Sequence, residues 1–142
     1  FCTVALAADL QVLPFRNSDL DSVLKSTAKL GGSAVIYSWS PHMNLSVQGL
    51  SNIIEYGRSN KIRVIAVLDP DANFMLASEI VAKNKWPSEF LRQNESPVLL
   101  KRGTRIQYPS YHFIADGNFA RPPLPGYKLD KELDEFRKVQ NK

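Results

Sequence analysis

Sulfur is scarce in this chain: 142 residues hold one cysteine, Cys2, and two methionines. A lone thiol cannot close an intramolecular disulfide or build a zinc site of several cysteinates. Histidine is as sparse, with His42 and His112 the only two. No run of about 18 apolar residues occurs, so no stretch reads as a membrane-spanning helix and no stable membrane insertion of the mature domain is expected. Charge of one sign is not concentrated anywhere. Lys and Arg number 18 against 14 Asp and Glu, a net charge of +4, and the two signs are interspersed, which argues for an ordinary basic surface and against nucleic acid as a partner. Repeats, low-complexity tracts and long linkers are also lacking.

What is present suits one domain with a real core: 44% hydrophobic and 10% aromatic residues at a length typical of a single folding unit. Phe1 to Ala8 differ from the rest, being apolar or small, and Ala5-Leu6-Ala7 followed by Ala8-Asp9 has the small-x-small form of a signal-peptidase site. Residues 1–8 are therefore expected to be the remnant of an export signal and 9–142 the domain; a short N-terminal strand or a cloning remnant is the other reading. Removal of the leader would take Cys2 with it and leave no cysteine, unless Cys2 is itself lipid-modified.

From Asp9 onward helix and strand patterns alternate. Leu20, Val23, Leu24 and Ala28 recur at helical spacing and Gly31-Gly32 ends that segment. Ala34-Val35-Ile36-Tyr37 is a continuous apolar run, as in a strand covered on both faces. Met43, Val47, Leu50 and Ile54 form the stripe of a second helix running to about Ser59, with Asn52, Glu55 and Arg58 toward water. Ile62 to Leu68 reads as a strand parallel to the first. Asp69-Pro70-Asp71 turns the chain, with Asp71 expected to cap a helix carrying Leu76, Ala77, Ile80 and Val81, closed by Trp86-Pro87. Turn and cap roles explain Asp69 and Asp71 more simply than a cation site does. Beyond an irregular stretch, Val98-Leu99-Leu100 is a weak strand pattern. Ser110 to Ala115 and the residues around Phe119 flank Asp116-Gly117-Asn118 as a hairpin. Leu129, Leu133, Phe136 and Val139 mark a last amphipathic helix. The fold class is α/β, a mixed sheet between helices.

That order, βαβ followed by a helix and ββα, resembles the thioredoxin-like fold, and local motifs agree with it. Trp39-Ser40-Pro41-His42-Met43 resembles the Trp-Cys-Pro-x-Cys segment that leads into the active-site helix of thiol-disulfide oxidoreductases. Tyr108-Pro109-Ser110-Tyr111-His112-Phe113-Ile114 resembles the cis-proline segment with its following strand, Asp116-Gly117 the next hairpin turn, and Gly126 a glycine common before the last helix. The resemblance covers about Ser18 to Lys142. It is nearest to periplasmic proteins of cytochrome maturation and disulfide handling, and so implies an exported, periplasmic location.

It also implies an altered chemistry. Ser40 and Met43 stand at the two thiol positions, and Ala34 stands where many thioredoxins bury an acid. Exchange needs an attacking thiolate and a resolving thiol; a serine hydroxyl and a thioether supply neither, so no catalytic residue and no cofactor are expected. Ser40 has a simpler role as N-cap with Pro41 at the first helical position. The resemblance makes Trp39, Ser40, Pro41, His42, Met43, Tyr108 and Pro109 candidate contacts for another protein or an extended peptide added as a strand; for Trp39, core packing competes evenly with partner contact. An alternative is a copper site of His42, Met43 and His112, since imidazole and thioether suit copper. A Ser40 nucleophile with His42 as base lacks both orientation and a third group.

Overall fold

The computed structural model of the chain describes residues 13–96, 110–119 and 124–125. The leader, the Val98 to Leu100 pattern, Tyr108, Pro109, Gly126 and the last helix lie outside them.

Among the described residues the elements are β1 (Pro14–Phe15), α1 (Asn17–Leu30), β2 (Ser33–Trp39), α2 (Asn44–Asn60), β3 (Arg63–Leu68), α3 (Phe74–Lys83), a 3-10 turn (Ser88–Leu91), β4 (Gln93–Asn94), β5 (Ser110–Ala115), β6 (Asn118–Phe119) and β7 (Leu124–Pro125). The strands form one mixed sheet in the order β1-β4-β3-β2-β5-β6, with β7 also pairing β5. β2 is central, parallel to β3 from Ala34↔Arg63 to Trp39↔Leu68 and antiparallel to β5 from Ser33↔Ala115 to Ser38↔Ser110. The apolar run in β2 has the cause expected of it: both faces are covered. Val35, Tyr37 and Trp39 pack with Leu50 and Ile53 of α2 and Ala77 and Val81 of α3, while Ala34 and Ile36 pack with Phe15 and with Leu20 and Val23 of α1.

α1 begins where the Arg16 N–H donates to the Asp19 carboxylate at 2.8 Å. That bond, helped by the Arg92 guanidinium at 3.1 Å, holds the Asp19 carboxyl below its ordinary range against a desolvation that pushes the other way. The helix ends on Gly31 in the left-handed region, φ 66°, which glycine adopts without Cβ strain. Its buried stripe departs from expectation by one residue: Thr27 is buried and Ala28 is exposed. Thr27 Oγ1 donates to the Leu24 carbonyl at 2.9 Å and accepts the Gly117 N–H at 3.1 Å, so this polar side chain is satisfied inside and the small Ala28 faces out.

Asp71 does not cap α3. Its N–H donates to Asp69 Oδ1 at 2.9 Å, and the Ala72 N–H closes a turn onto the Asp69 carbonyl at 3.1 Å. These bonds commit the segment to a turn and move the helix start to Asn73, whose Oδ1 accepts from the Leu76 N–H at 3.1 Å. Asp116 and Gly117 both have positive φ, 52° and 82°, and Ala115 pairs with Asn118 across them. A two-residue Asp-Gly turn of this kind matches the right-handed twist of its strands.

Candidate functional site

The Trp39 to Met43 segment leaves the carboxyl end of the central strand, the place where open α/β sheets gather their ligand contacts. Its first two residues turn inward. The Trp39 ring is 0% exposed and its Nε1–H donates to the Phe90 carbonyl at 3.0 Å. Packing has therefore won over partner contact for this indole. Ser40 is also buried, at 1%, so its hydroxyl presents no contact surface either.

The helix does not start at Ser40-Pro41. The Met43 N–H closes onto the Ser40 carbonyl at 3.1 Å, forming a separate turn, and α2 begins at Asn44 after Met43. Ser46, fully buried, locks this turn. Its hydroxyl accepts the Ser40 N–H at 3.0 Å and lies 2.7 Å from both the Ser40 and the Met43 carbonyls; having one proton, it donates to one of them at a time. Beneath it the Tyr37 hydroxyl donates to the Ser46 carbonyl at 2.6 Å. Burial, with Tyr111 alongside at 5.0 Å between ring centroids, pushes the Tyr37 phenol far above its ordinary value and keeps it neutral. Removing the lock is a sharp test of this architecture. Ser46→Ala strands a buried N–H and is expected to cost about 1–3 kcal/mol, read as a lower urea midpoint in equilibrium unfolding; an unchanged midpoint would mean that the turn holds without the hydroxyl.

His42, by contrast, reaches outward across the surface. Its Nε2 accepts the Asn73 N–H at 3.0 Å, which places the ring proton on Nδ1 in this arrangement. The start of α2 is thereby tied to the start of α3. The same bond occupies the nitrogen that a Ser40 nucleophile would need as its base, while the Ser40 hydroxyl oxygen accepts the His42 N–H at 3.3 Å. The serine-histidine reading thus loses its geometry.

The copper set does not assemble. His112 stands opposite Ile36 in the β2–β5 register, so both side chains project from the same face of the sheet, the one covered by α1. It is 1% exposed, with the Phe119 ring 5.9 Å from its own. His42 and Met43 lie beyond the end of β2. Among the described residues, no group of three or more His, Cys, Asp and Glu side chains is placed to hold a metal ion.

Besides the imidazole of His42, the side chains exposed around this turn include large apolar ones. Met43 is 48% exposed and Leu45 63%, and Met75, two residues past the Asn73 that His42 engages, is 61% exposed. Leu45 and Met75 were not foreseen as site residues. Both sit in first helical turns off the buried stripes, and an isolated exposed apolar residue has no signature in sequence.

No protein-family model matches the sequence, and no curated protein matches it. Several solved structures share its architecture, and two of them illustrate it. A candidate thioredoxin from Neisseria meningitidis superposes with a TM-score of 0.59 at 19% identity, covering 78% of this chain and 76% of that one. The fold is thioredoxin-like. The exposed lipoprotein thioredoxin of Streptococcus pneumoniae gives 0.54 at 17% identity, over 81% of this chain and 89% of that protein. The thioredoxin-like architecture accounts for the parallel β2–β3 pair with its crossing helix and for the antiparallel β5–β6 hairpin. It also puts the serine-methionine turn in front of the helix that follows the central strand.

Proposed function

We propose that this thioredoxin-fold chain is an exported protein that binds another polypeptide and does not exchange disulfides. One observation carries the reading: the turn before α2 holds a buried serine hydroxyl and an exposed methionine thioether where the resemblance calls for two thiols. A thioether forms no disulfide, and it adapts its shape readily to an apolar partner. The contact surface would be Pro41, His42, Met43, Leu45 and Met75, brought together by the His42–Asn73 bond, with Tyr108 and Pro109 as further candidates. The lipoprotein thioredoxin of Streptococcus pneumoniae supports an exported setting, and none of the described helices is long and apolar enough to cross a membrane.

Photo-crosslinking tests the binding. A benzoylphenylalanine placed at Met43 or Met75 is expected to capture the same partner in its cellular setting. The probe at Leu30, which is 78% exposed on α1, should capture none of it. Equal capture from Leu30, or none from either methionine, would remove the proposed surface. Turnover of an insulin disulfide by the wild-type chain would remove the claim of redox inactivity.

A further inference from the structure

A second unfilled place lies on the far side of β3, independent of the helix-start surface. β3 pairs with β2 along its whole length, but on its other edge β4 reaches only Leu68, through Leu68↔Gln93. The direction of each residue's polar groups follows from two bonds. The Leu68 N–H donates outward to the Arg92 carbonyl at 2.8 Å, and the Asp69 N–H donates inward to the Trp39 carbonyl at 2.8 Å. In a parallel strand these directions alternate, so Val64 and Ala66 point their N–H and C=O groups outward. Among the described residues no strand pairs with them on that side. They face a cavity of about 380 Å³ whose walls are Ser22, Val23 and Ser26 of α1 and Phe90 of the 3-10 turn. One end is closed by Arg92, which lies over the Phe15 ring at 5.0 Å and donates to the Pro14 carbonyl at 2.8 Å.

We infer that this lane accepts an extended, uncharged polypeptide segment from another protein, added as a strand to the outer edge of β3. The groups awaiting partners are main-chain donors and acceptors at alternate residues, a spacing that an extended backbone repeats. From Arg63 to Val67 the lane has room for about five residues at roughly 3.3 Å each. Its lining carries Asp19 and Glu89 against Arg63 and Arg92, charges that cancel and favour neither an acidic nor a basic segment. Hydroxyls on one wall and apolar carbons on both suit small and β-branched side chains.

Residue-resolved amide exchange of the full chain tests this, with the acetylated, amidated hexapeptide Thr-Val-Thr-Val-Thr-Val as the probe. Millimolar peptide is expected to slow exchange at Val64 and Ala66 at least tenfold and to leave Ile65 and Val67, already bonded to β2, unchanged. Ser22→Trp, which fills the lane from the helix wall, should weaken peptide binding at least tenfold. Should that variant not fold, Val64→Pro removes an outward N–H that β2 does not use and should give the same loss. Three results overturn the inference: Val64 and Ala66 protected without peptide, their lane being filled by the chain itself; no added protection with peptide; or binding unaltered by the variants.

Discussion

Replacing Trp39 by alanine is expected to leave the chain largely unfolded at 37 °C. Truncating a fully buried indole removes about 3–5 kcal/mol, and the Phe90 carbonyl that accepts its N–H loses its partner at a further cost of about 1–3 kcal/mol. The whole stability of a domain is typically only about 5–15 kcal/mol. Trp39→Phe separates the two effects, because it keeps most of the packing and forfeits the hydrogen bond. Urea unfolding followed by far-ultraviolet circular dichroism measures both. A Trp39→Ala protein with the wild-type midpoint would mean that the indole is not held in the core, and its role as a partner contact would return.

Gly57→Ala is expected to destabilise by about 1–3 kcal/mol, the usual cost of forcing atoms into a filled site. Alanine is ordinarily worth up to about 1 kcal/mol more than glycine inside a helix, so the sign depends on the room available. There is none. A Cβ on Gly57 would stand 2.8 Å from the Ile62 carbonyl oxygen and would collide with the Val64 side chain. That carbonyl cannot retreat, because the Ile62 N–H is bonded to the Gly57 carbonyl at 2.9 Å and the next residue enters β3. Gly32→Ala is the control: nothing lies within 4 Å of its added methyl. Thermal melts should show a clear loss at position 57 and little change at position 32; equal melting temperatures would show that α2 and β3 can separate freely.

The parts of the fold legible in sequence were those set by period and punctuation. The uninterrupted apolar run of β2, the Ile62 to Leu68 strand and the Asp-Gly turn appear where expected because each depends on local residue chemistry. The two-residue strands β1 and β4 carry no readable period and exist through their pairing with one another. Helix phase was harder. In α2 the buried stripe is Ser46, Leu50, Ile53 and Gly57, whereas hydrophobicity alone selected Met43, Val47, Leu50 and Ile54. Ser46 is inside because three backbone groups need its hydroxyl, and Gly57 because β3 approaches closely; neither requirement is visible in a scale of apolar preference.

The site was legible by position and only partly by role. The Trp39 to Met43 motif falls at the end of the central strand, but its residues divide between inside and outside in a way that a resemblance does not specify. Ser40-Pro41 has the composition of a helix start, and a tertiary bond from Ser46 overrides it. For His42, His112 and Met43, shared softness as ligands says nothing about which sheet face each one occupies.

The hydrogen bond from the Gly117 N–H to Thr27 Oγ1 joins residues 90 apart in the chain. An amide in a tight surface turn ordinarily trades its hydrogen with water on the timescale of local fraying. Here that donor is sheltered only while the first helix is docked on a sheet completed by strands from the other end of the polypeptide. A single resonance at a loop tip thus monitors whether the amino- and carboxyl-proximal halves are joined.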